Sequence, residues 1–111
     1  MKTEIPAFAP FAIECVGSDC HCYEVIRVIS ASTVEVRRMK ATLSKSFVPD
    51  IAVGGFVGHC RNNHDQSYDF ESDPSGYIVR LRRGKARDSW KGSGRHFYFS
   101  DRPHEFRDFN F

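Results

Sequence analysis

The chain has 111 residues, 41% hydrophobic and 14% aromatic with ten phenylalanines, and carries a formal net charge of +2. Such a length and apolar content suit a single domain, residues 1–111, that buries about two-thirds of its unfolded surface, and they argue against a disordered chain. No run of about 18 apolar residues occurs and Glu4, Pro6 and Pro10 interrupt the first fifteen residues, which excludes a spanning helix and argues against a secretion signal, so a cytoplasmic protein with reduced cysteines is expected.

Residues 1–15 read as an N-terminal extension. From Val16 a Gly-Ser-Asp turn leads into a run rich in Val, Ile and Tyr, a short polar link at residues 30–33, and a second such run with Val34 and Val36 alternating. Branched and aromatic side chains suit a pleated, half-buried surface, so a β-hairpin is expected here. Residues 40–64 lose the alternation and gain Pro49, Gly54, Gly55 and Gly58, the mark of a long irregular connection, with one helical turn expected around residues 41–46.

Alternation returns at residues 66–71, SDPSG supplies turn chemistry at 72–76, and residues 77–83 set Tyr77, Val79 and Leu81 on one face and Ile78, Arg80 and Arg82 on the other. These two runs predict a second hairpin. Residues 84–94 form a basic link around Trp90, HFYF at 96–99 makes a fifth strand, and the tail after Pro103 carries Phe106, Phe109 and Phe111. Aromatics so close to a terminus are expected to dock on the barrel or on another subunit, which points to a homo-oligomer. Five short strands with little helix predict a mainly β domain, a small SH3-like, partly open barrel with a long irregular loop; an OB-like barrel is the rival.

Three chemistries compete for residues 54–66, GGFVGHCRNNHDQ. As a binding loop, the glycines expose backbone amides in the manner of an anion nest, and His59, Arg61, Asn62, Asn63 and Gln66 add donors. As a structured bend, the asparagines cap their own turn. As half of a zinc site, His59, Cys60 and His64 join Cys20 and Cys22, but a C-x-C pair on a strand does not form the usual C-x2-C knuckle, and zinc ranks third. Cys60 with His59, His64 and Asp65 lacks a nucleophile turn or an oxyanion arrangement, and no metal or other cofactor and no enzymatic activity are expected.

Charge is unevenly spread. Residues 65–73 hold four acids and no base, whereas residues 77–98 hold seven bases against Asp88 alone. Arg80, Arg82 and Arg95 supply forked phosphate donors, and Tyr98 or Phe56 offers a stacking face. The plainer alternative is a solvated strand edge whose bases pair with the acids of residues 65–73 across the hairpin.

The stretches SDCHCYEVIRV, RRMKATLSKSFVPDIAVGGFVGHCRNNHDQSYDF, DPSG and EFRDFNF together resemble small uncharacterised proteins encoded by bacteriophages and prophages, most strongly at Gly54, Gly55, Phe56, His59, Cys60, Asn62 and Gln66. The resemblance implies no activity but a setting: a phage accessory protein in the host cytoplasm that blocks a defence system. Joined to the residues, it yields the expectation of a non-enzymatic protein that sequesters a phosphate-bearing ligand such as a nucleotide signal. In that reading amides at 54–58 and Arg80, Arg82 and Arg95 hold phosphate, and Asn62 and Gln66 read a base edge. A nucleic-acid-binding barrel and a protein–protein inhibitor of a host defence enzyme are the alternatives.

Overall fold

The computed structural model describes residues 9–48, 50–54, 57–60, 62–85 and 89–108, and excludes the side chains of residues 51–60 and of Asn63. In chain order the elements are β1 (Phe11–Val16), β2 (Asp19–Ser30), β3 (Thr33–Arg38), β4 (Lys40–Leu43), β5 (Ile51–Gly54), β6 (Val57–Cys60), a 3-10 turn (Asn63–Asp65), β7 (Tyr68–Glu71), β8 (Ile78–Arg83), β9 (Trp90–Gly92) and β10 (Arg95–Ser100). Six of them close into an antiparallel barrel in the order β1-β10-β9-β8-β3-β2, while β4 pairs with β7 and β5 with β6. The mainly β small barrel is thus the one expected, with its ring complete. Closure removes the continuous open edges that a flat sheet presents to a second chain.

The twelve-residue β2 makes closure work, because it pairs with β1 along its first half and with β3 along its second. Its register against β3 slips between Val25 and Arg27 and again between Val28 and Ser30. An extra residue on one strand bends it and tightens its twist, which turns a flat ribbon into a wall of the barrel. Between β9 and β10 the chain reverses through Ser93 and Gly94, at φ of 52° and 75°. Two left-handed residues in a two-residue loop match the twist of the flanking strands.

Inward-pointing residues of all six strands fill the interior: Ala12, Tyr23, Val34, Val36, Val79, Leu81, Trp90 and Phe97, with Val25, Val28 and Phe99 against them. Tyr23 meets Phe97 edge-on at 5.2 Å between ring centres, and Trp90 meets Phe99 at 5.1 Å, the geometry that aromatic quadrupoles favour. Gly92 makes room for this packing, since a Cβ there would stand 2.5 Å from Val79 Cγ1 and 2.7 Å from Leu81 Cδ2. A second cluster, Ile13, Cys22 and Met39 with Phe11, Cys20 and Phe70, lies on the outer face of β1 and β2. Its cover is partly the C-terminal tail: Cys20 and Phe106 form a β-bridge, with each amide donating to the other's carbonyl at 2.8 and 2.9 Å.

Several expectations need correction. Residues 11–15 belong to β1 rather than to an extension; Ile13 is buried outside the barrel and Ala12 and Glu14 inside it, so the strand shows no alternation to read. Residues 40–43 form β4 instead of starting a helical turn, because β7 offers them a partner. The second hairpin does not form. β7 pairs with β4 and β8 pairs with β3 and β9, which separates the acids of 65–73 from the bases of β8; Arg80 pairs instead with Glu35 at 3.2 Å. The basic link holds β9, and the long connection holds the β5–β6 hairpin. Among the described residues no helix is long and apolar enough to cross a membrane.

Candidate functional site

Alternation on β8 sends Val79 and Leu81 inward and leaves Arg80 and Arg82 exposed on the outer face. On β9, Trp90 and Gly92 are buried and Lys91 is exposed; on β10, Phe97 is buried and His96 and Tyr98 are exposed. Register then aligns the outward residues. Arg82 lies directly opposite Lys91, and Lys91 directly opposite His96. Adjacent strands are about 4.8 Å apart, so three nitrogen-bearing side chains stand in a row across about 10 Å of barrel wall. Like charges directly opposite one another are destabilising. No carboxylate among the described residues forms an ion pair with Arg82 or Lys91, whereas Arg80, Arg27, Arg37 and Arg95 all have one. Tyr98, 43% exposed, stands two residues beyond His96 on the same face, and Ile78 and Tyr77 are likewise exposed.

Arg95 occupies a different position. Its Nε is 3.7 Å from Oε2 of Glu14, a carboxylate buried inside the barrel and 3.4 Å from the Tyr23 hydroxyl, which donates onward to Tyr77 or accepts from it at 2.7 Å. Burial pushes the Tyr23 hydroxyl well above the usual phenol range, and its bond to Tyr77 adds to this, so it remains a neutral donor. This group of residues ties Arg95 to the core through Glu14.

The loop residues divide. Asn62 donates through Nδ2 to the Val48 carbonyl at 2.8 Å and accepts the Asp50 amide at 2.7 Å, closing the base of the β5–β6 hairpin. Gln66 is bonded to the tail, with its amide donating to the Arg107 carbonyl and its Oε1 accepting the Arg107 amide at 3.1 Å and the Tyr68 hydroxyl. Both side chains therefore serve their own backbone in the manner of a structured bend. Gly54 and His59 lie in β5 and β6, with Gly54 opposite Val57 and His59 opposite Ala52. Gly55, Phe56 and Arg61, and the side chains of His59 and Cys60, lie outside the described residues.

Of the residues grouped for zinc, Cys22 is fully buried with its Sγ 3.7 Å from Met39 Sδ, Cys20 is half-buried beside the tail, and the His64 ring stacks on Phe106 at 5.3 Å. Burial pushes the Cys22 thiol up to about 11. No three His, Cys, Asp or Glu side chains among the described residues are grouped to hold a metal ion.

The most buried charged group among the described residues escaped sequence reasoning altogether. Glu105, in the tail, takes Arg38 in a two-pronged pair (3.1 and 2.9 Å), the Cys22 amide at 3.0 Å and His21 Nδ1 at 3.1 Å, with its side chain fully buried. Burial alone would raise its pKa, but the bonds from Arg38, His21 and the Cys22 amide outweigh that and hold it below the ordinary carboxylate value. The tail thus docks through a carboxylate and Phe106, with Phe109 and Phe111 outside the described residues. Beside it lies an open pocket of about 220 Å³ bounded by Gln66, Tyr68, Phe70, Pro103, His104 and Glu105.

On the exposed wall of β8, β9 and β10, Arg82 and Lys91 therefore stand beside His96 and Tyr98 with no ion-pairing carboxylate among the described residues. No protein-family model, curated protein or solved structure matches the chain.

Proposed function

We propose that the barrel binds a nucleic-acid strand across the outer wall formed by β8, β9 and β10. The observation that carries this reading is the directly opposed Arg82 and Lys91, flanked by His96, with no ion-pairing carboxylate among the described residues. Phosphates laid along such a row would relieve the repulsion and release counterions, and Tyr98 would offer a ring for a base to stack on. An open wall suits a polymer better than a single nucleotide. Enclosing a nucleotide between residues 54–66 and β8 finds less support, because among the described residues β5 and β6 pair with each other and not with β8, and Asn62 and Gln66 are engaged with the chain itself. The role of blocking a host defence, implied by the likeness to phage-encoded proteins, belongs to the same proposal as the setting in which that strand would be captured.

Fluorescence anisotropy with labelled single-stranded DNA, single-stranded RNA and duplex, each over a salt series, tests the reading. With two to three cations engaged, log K for a single strand should fall with log salt at a slope of about −1.4 to −2, and R82E/K91E should abolish binding. Binding insensitive to salt, or unchanged in R82E/K91E, refutes the interface. Calorimetric heat from a mononucleotide with none from any polymer transfers the case to nucleotide sequestration.

A further inference from the structure

The row of outward residues does not stop at His96. His96 lies opposite Cys15 on β1, and Cys15 opposite Cys20 on β2. In a β-strand the amide and carbonyl of one residue project to the same edge. Both polar groups of Cys20 are taken by Phe106, on the edge away from β1. Cys15 and Cys20 are consequently a non-hydrogen-bonded pair, the kind whose Cα atoms approach to about 4.5 Å with side chains closest. Disulfides span Cα separations of about 4.4 to 6.8 Å, so the frame already suits a bridge. Both cysteines carry free thiols, Cys15 exposed and Cys20 half-buried.

We propose that Cys15 and Cys20 are a dithiol modification site that closes to a cross-strand disulfide by exchange with an anionic low-molecular-weight disulfide of the glutathione type. The exposed Cys15 is the attacking thiol. It loses its proton to solvent, and its thiolate displaces one thiolate from the small disulfide, leaving a mixed disulfide on Cys15. Cys20 then gives up its proton and attacks the Cys15 sulfur, expelling the second small thiolate, which takes up a proton. Two protein thiols are oxidised by two electrons and one small disulfide is reduced to two thiols, so no other oxidant is needed. The division of labour follows from position: burial raises the Cys20 thiol, the adjoining Cys15 raises it further, and Cys20 reacts only once its partner sulfur is activated. Lys91 and Arg82, farther along the same row, favour a carboxylate-bearing disulfide over a neutral one. The cysteine pair does not rest on the nucleic-acid reading, although Lys91 and Arg82 are common to both.

The full chain is equilibrated under native conditions with reduced and oxidised glutathione mixtures, quenched in acid, alkylated and mapped by mass spectrometry, with circular dichroism confirming that each variant is folded. The expected product has two fewer alkylatable thiols and a Cys15–Cys20 link that a dithiol reductant reverses. C15S and C20S should both lose the link, C20S should hold a glutathione adduct on Cys15, and C22S and C60S should keep the link. Complete alkylation in the most oxidising mixture, a link that uses Cys22 or Cys60, or an adduct on C20S at any thiol other than Cys15 would overturn the assignment.

Discussion

Replacing Glu105 with alanine should loosen the tail and cost a large part of the domain's stability. The carboxylate is fully buried, and its loss strands the Arg38 guanidinium, whose side chain is only 19% exposed, together with the Cys22 amide. Removing one partner of a buried ion pair costs about 3 to 5 kcal/mol. The residual exposure of Arg38 puts this case near the lower limit, about 3 kcal/mol, against a total of about 5 to 15 kcal/mol for a domain of this kind. With a urea m-value of about 1.5 kcal/mol/M the unfolding midpoint should fall by about 2 M. Glu105→Gln retains the shape and a carbonyl for the Cys22 amide but loses the charge, and should cost about 1 to 2 kcal/mol. Hydrogen exchange supplies the spatial readout: the amides of Cys20 and Phe106, which bond each other's carbonyls, should lose protection in Glu105→Ala while Val34 and Leu81 keep theirs. A midpoint shift under about 0.3 M, or unchanged protection at Cys20, would refute the idea that this carboxylate holds the tail in place.

The same carboxylate sets an acid limb. Its folded pKa lies below the ordinary value, so its contribution is fully present above the unfolded value of about 4.3 and fades as pH falls through the folded one; the stability gap between wild type and Glu105→Gln should shrink below about pH 4 in urea melts. Gly92→Ala forces a Cβ to within 2.8 Å of the Arg80 carbonyl as well as against Val79 and Leu81, and should cost about 2 to 3 kcal/mol in thermal unfolding; a loss under about 0.5 kcal/mol would show that β9 yields more readily than its packing implies. Tyr77→Phe removes the partner at 2.7 Å from the Tyr23 hydroxyl and should cost about 1 kcal/mol, with a neutral result implying that Glu14 takes over that bond. Alkylation of the folded protein at pH 8 should label Cys15 fast and leave Cys22 unmodified, since burial holds the Cys22 thiol at about 11; equal rates would mean that the cover over β1 and β2 opens freely.

The β2–β3 hairpin, the outward Arg80 and Arg82, and the strand at residues 96–99 were legible because one face of each is wet, and alternation survives wherever that holds. β1 was not, since both of its faces are buried, and β9 is only three residues long. The false hairpin at residues 66–83 arose because turn chemistry at SDPSG says that the chain reverses but not which strand receives it. Glu105 stood as one acid among fourteen, with no spacing to link it to Arg38, 67 residues away.

By itself the sequence determined the strand-forming runs, the small β-barrel class and the basic character of residues 77–98, all of which depend on local propensity and on a period of two along the chain. Closure of the ring, the alignment of Arg82, Lys91, His96, Cys15 and Cys20 across four strand boundaries, and the burial of Glu105 against Arg38 were decided only by the tertiary structure. The physical reason is that register between distant strands is chosen by the packing of the whole interior, a global property that no short window of residues contains.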